Sequence, residues 1–274
     1  MSRRSHRDAA PTHNETASDG RAGTDVAVTD VAVTRLLWLA GLWLGSRLVA
    51  GLLVAPFVDP GAPLSAGSLV VSQIPFWGVT VGGLWWMARR EGERLSGFVR
   101  WGFAPQDLGV GLVAGFGLHW GVNLLYRVLE NAGVSGDPSA SARELVNASP
   151  GVLGKVVLVV MVAVGAPVVE EMYYRGVAQR TAMQLAEGTS AKSGLRHRWG
   201  AVAGLVAVAA FFALSHIATG ADLIQLPGLT LVGVVLGGLV WRSGRLGPSI
   251  VAHGVFNLCS LLVLWGVSSP LLAG

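Results

Sequence analysis

The sequence predicts an all-α, polytopic membrane protein with about seven transmembrane helices, and three observations lead to that fold class. Only 13% of the 274 residues are charged and 52% are hydrophobic, whereas about 25% charged residues is usual for a soluble domain. The mean hydropathy is +0.56. Apolar runs of roughly twenty residues, long enough to cross ~30 Å of hydrocarbon as a helix, recur along the chain. These features exclude an ordinary soluble globular protein.

The apolar runs define seven predicted spans, which divide the chain into a tail and two groups of helices. The spans are 36–57, 64–87, 108–128, 151–173, 199–217, 223–241 and 246–267. Residues 1–33 are polar and lack the apolar core of a signal peptide, so we expect a disordered cytoplasmic tail. The arginines and aromatic residues of 89–107 predict an interfacial amphipathic segment, which would be an eighth helix. Residues 34–150 then form N-terminal transmembrane helices, and residues 151–267 form a second membrane domain.

Basic residues are distributed unevenly between the two sides that these spans define. Sixteen of the twenty Lys and Arg residues fall in the tail and in alternate loops on one side. Because cytoplasmic loops are enriched in Lys and Arg, we expect a cytoplasmic N-terminus and an external C-terminus in a cell membrane. The short basic clusters do not favour a nucleic-acid-binding surface, despite the net charge of +4. Two Lys against eighteen Arg, amid abundant Ala, Gly and Val, are typical of a GC-rich bacterial genome.

The fourth span carries three charged residues in an apolar helix, where ionisable groups are costly and indicate function. They are Glu170, Glu171 and Arg175. The i, i+4 spacing of Glu171 and Arg175 favours an ion pair. Glu170 projects about 100° away around the helix and is free for another role. Pro167 lacks an amide hydrogen and is predicted to kink the helix just before the two carboxylates.

Two later spans carry polar pairs at the same spacing. Phe212 and His216 are four residues apart in the fifth span, and so are His253 and Asn257 in the seventh. Each pair therefore projects from one face of its helix. Counted along antiparallel helices at ~1.5 Å per residue, His216 reaches the depth of the fourth-span carboxylates, and His253 lies roughly 10 Å inside the cytoplasmic boundary. We expect the three groups to converge on a cavity that opens to the cytoplasm.

A carboxylate and an imidazole around a water molecule are typical of hydrolysis, with the carboxylate as general base. Glu170 and His216 are the candidates for this pair, and His253 with Asn257 are placed to donate hydrogen bonds to a developing oxyanion. A metal-dependent interpretation is also open, since Glu170, His216 and His253 are the residue types of a catalytic zinc site. The H-E-x-x-H pattern of many zinc proteases is absent from the sequence.

The three motifs, in this order and each in an apolar helix, resemble those of the CAAX protease and bacteriocin-processing enzyme (CPBP) family. That family includes the type II CAAX prenyl endopeptidases. The motifs are Glu170-Glu171-x-x-x-Arg175, Phe212-x-x-x-His216 and His253-x-x-x-Asn257. The resemblance spans roughly residues 151–264, and it makes 151–267 the expected catalytic domain.

The resemblance implies an intramembrane endopeptidase in which Glu170 and His216 activate the water. His253 and Asn257 would stabilise the oxyanion, and the second carboxylate with its arginine would hold the site together. Both a metal-dependent and a metal-free glutamate mechanism are attributed to this family. A divalent metal such as zinc therefore stays an alternative, and no other cofactor is implied.

Two other classes of function stay open on the sequence alone. One is a catalytically silent membrane scaffold or bacteriocin-immunity protein, and the other is a transporter with an intramembrane proton relay. Transporters commonly show repeated halves or paired broken helices, which the sequence lacks. The expected partners of a protease are the lipid bilayer and a membrane-associated protein or peptide substrate.

Other residues in the spans are expected to serve packing rather than chemistry. Phe212 belongs to this group because aromatic side chains serve mainly as buried bulk. Arg47, His119 and Arg127 have no partner motif, so we expect interhelical hydrogen bonds or snorkelling to the membrane surface. Four pairs of small residues are predicted to allow close helix approach: Gly41 with Gly45, Gly111 with Gly115, Gly117 with Gly121 and Gly233 with Gly237.

Overall fold

The computed structural model describes residues 15–57, 65–187, 195–217, 220–269 and 272. Every regular element in these ranges is helical, which confirms the predicted all-α fold. The helices are α1 (Glu15–Val54), α2 (Ala66–Arg90), α3 (Leu95–Phe98), α4 (Pro105–Asn131), α5 (Ala140–Asn147), α6 (Gly151–Glu187), α7 (Leu195–Leu214), α8 (Leu226–Ser243) and α9 (Gly247–Leu264), with a 3₁₀ turn at Gly220–Gln225.

Six of the described helices are long and apolar enough to cross a membrane, namely α1 from Thr29 onward, α2, α4, α6, α8 and α9. The fifth predicted span, 199–217, corresponds to a shorter apolar helix, Arg198–Leu214 in α7. This helix ends just before His216 because polar side chains compete for its last carbonyls. The hydroxyl of Ser215 donates to the carbonyl oxygen of Phe212 at 2.7 Å. The multi-pass architecture is confirmed, with a fifth segment that is shorter than predicted.

The first helix begins earlier than the sequence analysis placed it. α1 starts at Glu15, so residues 15–33 are helical in the structure although a disordered tail is predicted for 1–33. One feature of the sequence accounts for the extension: no proline, which would interrupt a helix, occurs between Pro11 and Pro56. The remainder of the predicted tail, 1–14, lies outside the described residues.

Segment 89–107 contains one short helix of its own, α3, and the interfacial position of the segment stays a prediction. Between the end of α2 and the start of α4, only the four residues of α3 are helical. Phe98 and Val99 are fully buried against the bundle. The guanidinium carbons of Arg35 and Arg180 lie 5.6 and 5.8 Å from the centroid of the Phe98 ring. The segment therefore closes this end of the bundle.

Basic residues gather at the same end, which we call the arginine-rich end. It is defined by Arg35, Arg90, Arg100, Arg180 and Arg245. Arg35 Nε donates to Glu91 Oε1 at 3.0 Å, which joins α1 to the end of α2. Arg245 binds Asp107 with two hydrogen bonds of 2.6 and 2.8 Å, which joins the α8–α9 loop to the start of α4. These basic residues thus lie at one end, as predicted, and the side of the membrane that they face stays a prediction.

Two of the four glycine pairs mediate close helix packing. A Cβ atom at Gly111 or Gly115 of α4 would lie 2.4 or 2.6 Å from the Cβ of Val251 or Val255 of α9. These two helices form the most extensive contact in the described part of the bundle. The pair on α8 packs equally closely against α6 and α7, whereas the pair on α1 and the second pair on α4 have nothing within 4 Å.

Helix α6 is irregular where its carboxylates lie. Two π-helical stretches, Val159–Gly165 and Glu171–Gln179, flank the short α-helical segment Ala166–Glu170. Pro167 lies in that short segment, where its ring removes an amide donor and crowds the preceding turn. The predicted kink takes the form of wide turns on either side, and π-helical turns are frequent at functional sites. Glu170 and Glu171 consequently stand at the junction between two kinds of helix.

Candidate active site

Glu171 is completely buried, and both oxygens of its carboxylate accept hydrogen bonds. Oε1 accepts from Arg175 Nη1 at 2.8 Å and from His253 Nδ1 at 3.0 Å. Oε2 accepts from the hydroxyl of Ser249. The side chains of Glu171 and Arg175 are 0% and 1% exposed, so the ion pair predicted from their spacing is confirmed. A buried ion pair of this kind is tolerated only where further hydrogen bonds satisfy its charges.

Glu170, one residue earlier, has different surroundings. Its Oε2 atom is buried, yet it has no hydrogen-bond partner in the described part of the chain. The same atom lies 3.9 Å from His216 Nε2 and 3.8 Å from His253 Nε2, which is too far for hydrogen bonds. The side chain is 20% exposed. The structure therefore brings together the three groups that the sequence predicts to converge.

The hydrogen bonds on the far side of each imidazole determine which nitrogen carries the proton. His216 Nδ1 lies 2.8 Å from the carbonyl oxygen of Phe212, and a carbonyl oxygen only accepts, so Nδ1 is the donor. His253 Nδ1 donates to the carboxylate of Glu171 by the same argument. When neutral, both rings therefore present an unprotonated Nε2 to Glu170. The three hydrogen-bond acceptors, Glu170 Oε2 and the two Nε2 atoms, therefore surround a gap, and no described residue places a donor between them.

Phe212 packs at the centre of this arrangement. Its ring centroid lies 4.6 Å from that of His216 and 5.9 Å from that of His253. The guanidinium carbon of Arg175 lies 4.4 Å from the same ring. Arg175 Nη2 is buried and has no hydrogen-bond partner within the described ranges, and the aromatic face offsets part of that cost through a cation–π contact. Phe212 thus fills space and supports three polar side chains.

Asn257 lies one turn beyond His253 and borders the same cavity. Its amide nitrogen donates to the carbonyl oxygen of Val162 at 2.7 Å. Val162 belongs to the first π-helical stretch of α6, so this bond ties α9 to the wide turn that precedes the carboxylates. An amide group has two hydrogens, which leaves one for another acceptor. The oxyanion role of Asn257 stays a prediction.

Two cavities meet at Glu170 and His216. One, of about 220 Å³, lies among α2, α6, α8 and α9 and also contains His253. The other, of about 230 Å³, lies among α1, α2, α6 and the turn after α7. A water molecule occupies about 30 Å³ of liquid, so each cavity has room for several waters or a few peptide atoms.

The first cavity extends away from the arginine-rich end. In α9 its lining residues beyond His253 are Phe256 and Asn257, and in α6 those other than Glu170 precede it in the chain. Toward the arginine-rich end, Leu246 and the closing segment with Phe98 are fully buried. The opening of the site toward the cytoplasm stays a prediction, because the second cavity is lined by Tyr173 and Tyr174, which follow Glu170 toward the arginine-rich end. Counting residues along the helices predicts the depth of the site, but it does not predict how segment 89–107 packs at the arginine-rich end.

Glu170, His216 and His253 do not have the spacing of a tetrahedral zinc site in this arrangement. Zinc bonded tetrahedrally at ~2.0–2.1 Å would place its ligand atoms about 3.3 Å apart, and the two measured separations are 3.8 and 3.9 Å. No group of three His, Cys, Asp or Glu residues in the described ranges has the geometry of a metal site. The metalloprotease interpretation has no support in this geometry, and the hydrolysis proposed for this site uses only the side chains of the protein.

Several residues at the site were missed from the sequence. Ser249 lies four residues before His253, so the spacing of the seventh-span motif continued one turn back would have indicated it. Gln73 of α2 borders both cavities, and its amide in an apolar span was the available signal. Arg47 of α1 borders the second cavity. No local pattern predicts that α1 and α2 contact the site.

Comparison with known proteins agrees with the motifs. Residues 152–259 match the family model of the Rce1-like proteins, described as type II CAAX prenyl endopeptidase Rce1-like. The matched segment contains every residue of the three motifs and leaves out α1 to α5. No curated protein and no solved structure compared with the chain matches it. The family match confirms the predicted resemblance and supports, in general terms, a CAAX-type protease in a multi-pass membrane protein.

Proposed function

Because the chain contains an Rce1-like segment, we propose that it is an intramembrane endopeptidase in which Glu170 activates a water molecule. The substrate is a peptide bond of a membrane-associated protein or peptide. One observation carries this proposal: the buried Oε2 of Glu170 lacks a partner among the described residues and faces the Nε2 atoms of His216 and His253 at 3.9 and 3.8 Å.

A water molecule is the group that this arrangement accommodates. Hydrogen bonds of ~2.8 Å from one water reach two acceptors that are 3.8–3.9 Å apart. A water offers two hydrogens, so it can donate to Glu170 and to one imidazole at the same time. Its remaining lone pair then points toward the cavity, where a peptide carbonyl would lie.

The chemical step follows from these positions. As the water oxygen attacks the carbonyl carbon, Glu170 removes a proton from the water as general base. The protonated Glu170 then gives this proton to the peptide nitrogen, the C–N bond breaks, and the products are an amine and a carboxylic acid. The cavity walls exclude bulk water, which strengthens every charge interaction in the step.

His253 and Asn257 are proposed to stabilise the oxyanion, as the family resemblance implies. His253 can donate from Nε2 to the oxyanion only when it is doubly protonated, because its Nδ1 proton is used in the bond to Glu171. Asn257 has a second amide hydrogen beyond the one bound to Val162. Glu171 and Arg175 are positioning residues in this scheme, since they act through His253.

The test is cleavage by the purified full-length protein in lipid nanodiscs. A mixture of N-acylated random peptides is incubated in ¹⁸O-labelled water, and new termini are counted by mass spectrometry. Wild type is expected to release products carrying one ¹⁸O, and Glu170→Gln is expected to lower the rate by about 10²–10⁴-fold, the usual contribution of a general base. Glu144→Gln, on the exposed face of α5, is the matched control.

Two outcomes would contradict the proposal. Equal product release by wild type and Glu170→Gln would remove Glu170 from the chemistry. Absence of products from wild type across the whole mixture would favour the silent scaffold or the transporter, and substrate-dependent ion flux into liposomes would distinguish these two.

A further inference from the structure

Helix α1 places a cation beside the proposed catalytic water. Arg47 borders the 230 Å³ cavity together with Glu170 and His216. It lies outside the matched segment 152–259, and no step of the proposed mechanism uses it. The residue is exposed, and it borders this cavity.

Two contacts hold the guanidinium of Arg47 at the cavity. Arg47 lies twelve residues beyond Arg35 and seven before Val54, which corresponds to ~18 and ~10 Å along the helix. Its Nη2 donates to the carbonyl oxygen of Ser215, the residue before His216. Its guanidinium carbon lies 4.5 Å from the ring centroid of Trp43. The expected hydrogen bond between transmembrane segments is confirmed, and snorkelling stays a prediction.

The charge of Arg47 has no ion-pair partner within the described ranges. The ion pairs there between arginine and carboxylate join Arg35 to Glu91, Arg143 to Asp137, Arg175 to Glu171 and Arg245 to Asp107. Glu170 shares the cavity with Arg47 but is not in ion-pair contact with it. A guanidinium has five N–H donors, and the bond to Ser215 uses one. A cation in an apolar span is costly unless an anion compensates it.

We propose that Arg47 binds a carboxylate of the peptide substrate and thereby sets which peptide bond lies beside Glu170. This inference rests on the proposed function and names the substrate chemistry of the same site. A guanidinium matches a carboxylate with two parallel hydrogen bonds. Trp43 and Phe76, with Tyr173 and Tyr174, line the cavity and lower the local dielectric, which strengthens such a pair. Arg47 is a specificity-determining residue, since it contacts substrate but not the reacting atoms.

The carboxylate has two sources in a peptide. A chain terminus would direct cleavage to a fixed number of residues from the C-terminal end. An Asp or Glu side chain would direct cleavage to a position next to an acidic residue. The guanidinium recognises the same chemistry in both, and the peptides used in the test separate them.

A purely structural role for Arg47 would also slow cleavage. The bond to Ser215 holds the backbone beside His216, so its loss could displace the imidazole. The experiment must therefore compare charged and neutral ligands and not only rates. Binding is measured in the Glu170→Gln protein, because that variant retains intact peptides.

The probe is an equimolar mixture of N-palmitoylated random hexapeptides, prepared as free carboxylates and as carboxamides. A second pair of mixtures carries Asp or Asn at the fourth position, both as carboxamides. Full-length protein in nanodiscs is incubated with each pair, and the retained ratio is measured by mass spectrometry. We expect at least one charged form to be retained about tenfold over its neutral form, which corresponds to ~1.4 kcal/mol of binding energy. Preference for the free terminus or for Asp identifies the source.

Variants of Arg47 decide between recognition and positioning. Arg47→Gln is expected to lower the ratio to about one while retention of the neutral peptides stays unchanged, and Arg47→Lys is expected to keep part of the preference. Arg127→Gln removes an exposed arginine from α4, away from the cavity, and should leave the ratio unchanged.

Three results would overturn the inference. The first is that the protein with Arg47 intact retains charged and neutral peptides equally. The second is that Arg47→Gln keeps the preference for the charged form, and the third is that this variant loses charged and neutral peptides to the same extent. Binding does not require turnover, so failure here is distinct from failure of the cleavage assay.

Discussion

Two adjacent carboxylates of α6 occupy regions of opposite character. Around Glu171, every carboxylate oxygen accepts a hydrogen bond and the side chain is fully buried. Around Glu170, a buried oxygen lacks a partner in the part of the chain that the structure describes, and two cavities open beside it. Two consecutive residues therefore place a carboxylate whose two oxygens both accept hydrogen bonds next to a carboxylate with a buried oxygen that accepts none from the described residues.

This difference indicates which of the two acidic residues stabilises the fold and which takes part in the proposed reaction. A satisfied, desolvated ion pair resists change, because breaking it leaves a buried charge. An unsatisfied acceptor with room beside it is a place where a small molecule can bind and react. His253 touches both regions, through Nδ1 on one side and Nε2 on the other.

The largest effect on stability is expected from Arg175→Met. The variant removes the only Arg or Lys side chain that binds Glu171 among the described residues, and breaking a buried pair costs about 3–5 kcal/mol. Thermal unfolding in nanodiscs would show a markedly lower midpoint, with loss of activity following from loss of structure.

The matched control for this change is Arg143→Met. Arg143 and its partner Asp137 have side chains that are 54% and 48% exposed, and exposed pairs contribute about 0–1 kcal/mol. Hydrogen bonds from the hydroxyl and the backbone amide of Ser139 chiefly lower the pKa of Asp137, and they remain in the variant. A similar melting temperature for both variants would mean that the Glu171 network does not hold the fold.

The two histidines are expected to differ in stability but not in activity. His216→Gln and His253→Gln should each lower cleavage strongly, because both imidazoles face Glu170. Only His253→Gln should also destabilise the protein, by about 1–3 kcal/mol, since it leaves a buried carboxylate short of a donor. The side chain of His216 is 34% exposed and that of His253 is 4% exposed.

Urea or heat unfolding of the two histidine variants, in parallel with peptide cleavage, makes that comparison. A lower stability of His216→Gln than of His253→Gln would contradict the assignment of His253 to the structural network around Glu171.

A smaller effect is expected from Ser249→Ala. The hydroxyl of Ser249 donates to Glu171, and loss of one donor to a buried charged group costs about 1–3 kcal/mol. Ser260→Ala, about three turns further along α9, removes a hydroxyl that donates only to the carbonyl of Phe256 in its own helix, and we expect a change below about 0.5 kcal/mol. Unfolding midpoints that rank the two variants in the reverse order would argue against the network.

The smallest effect is expected from chelation. The distances around Glu170 do not fit tetrahedral zinc, so treatment with 1,10-phenanthroline followed by elemental analysis should leave the cleavage rate unchanged. A rate that falls on chelation and returns with added zinc would establish a metal at this site and would replace the water-activation scheme with a metal-dependent one.

The sequence predicted the parts of the molecule that depend on local spacing. The all-α class follows from the apolar runs, the Glu171–Arg175 pair from its i, i+4 spacing, and the convergence of Glu170 with His216 and His253 from depth counted along helices. Each of these inferences needs only helix geometry.

Features that depend on packing between distant segments could not be predicted in the same way. The burial of Phe98 at the arginine-rich end depends on how segment 89–107 packs against the bundle. Arg47 and Gln73 reach the site from α1 and α2, which carry no motif. The early start of α1 at Glu15 reflects an uninterrupted helix, which the polar composition of the tail concealed.

The assignment of Glu170 to catalysis and of Glu171 to stability is tested most directly by comparing Glu170→Gln with Glu171→Gln. Cleavage of the peptide mixture and the unfolding midpoint are determined for both variants in the same nanodiscs. We expect Glu170→Gln to lower the cleavage rate by about 10²–10⁴-fold and to keep the wild-type unfolding midpoint. We expect Glu171→Gln to unfold at a distinctly lower temperature. Wild-type cleavage by Glu170→Gln, or a midpoint that falls equally in both variants, would contradict this assignment.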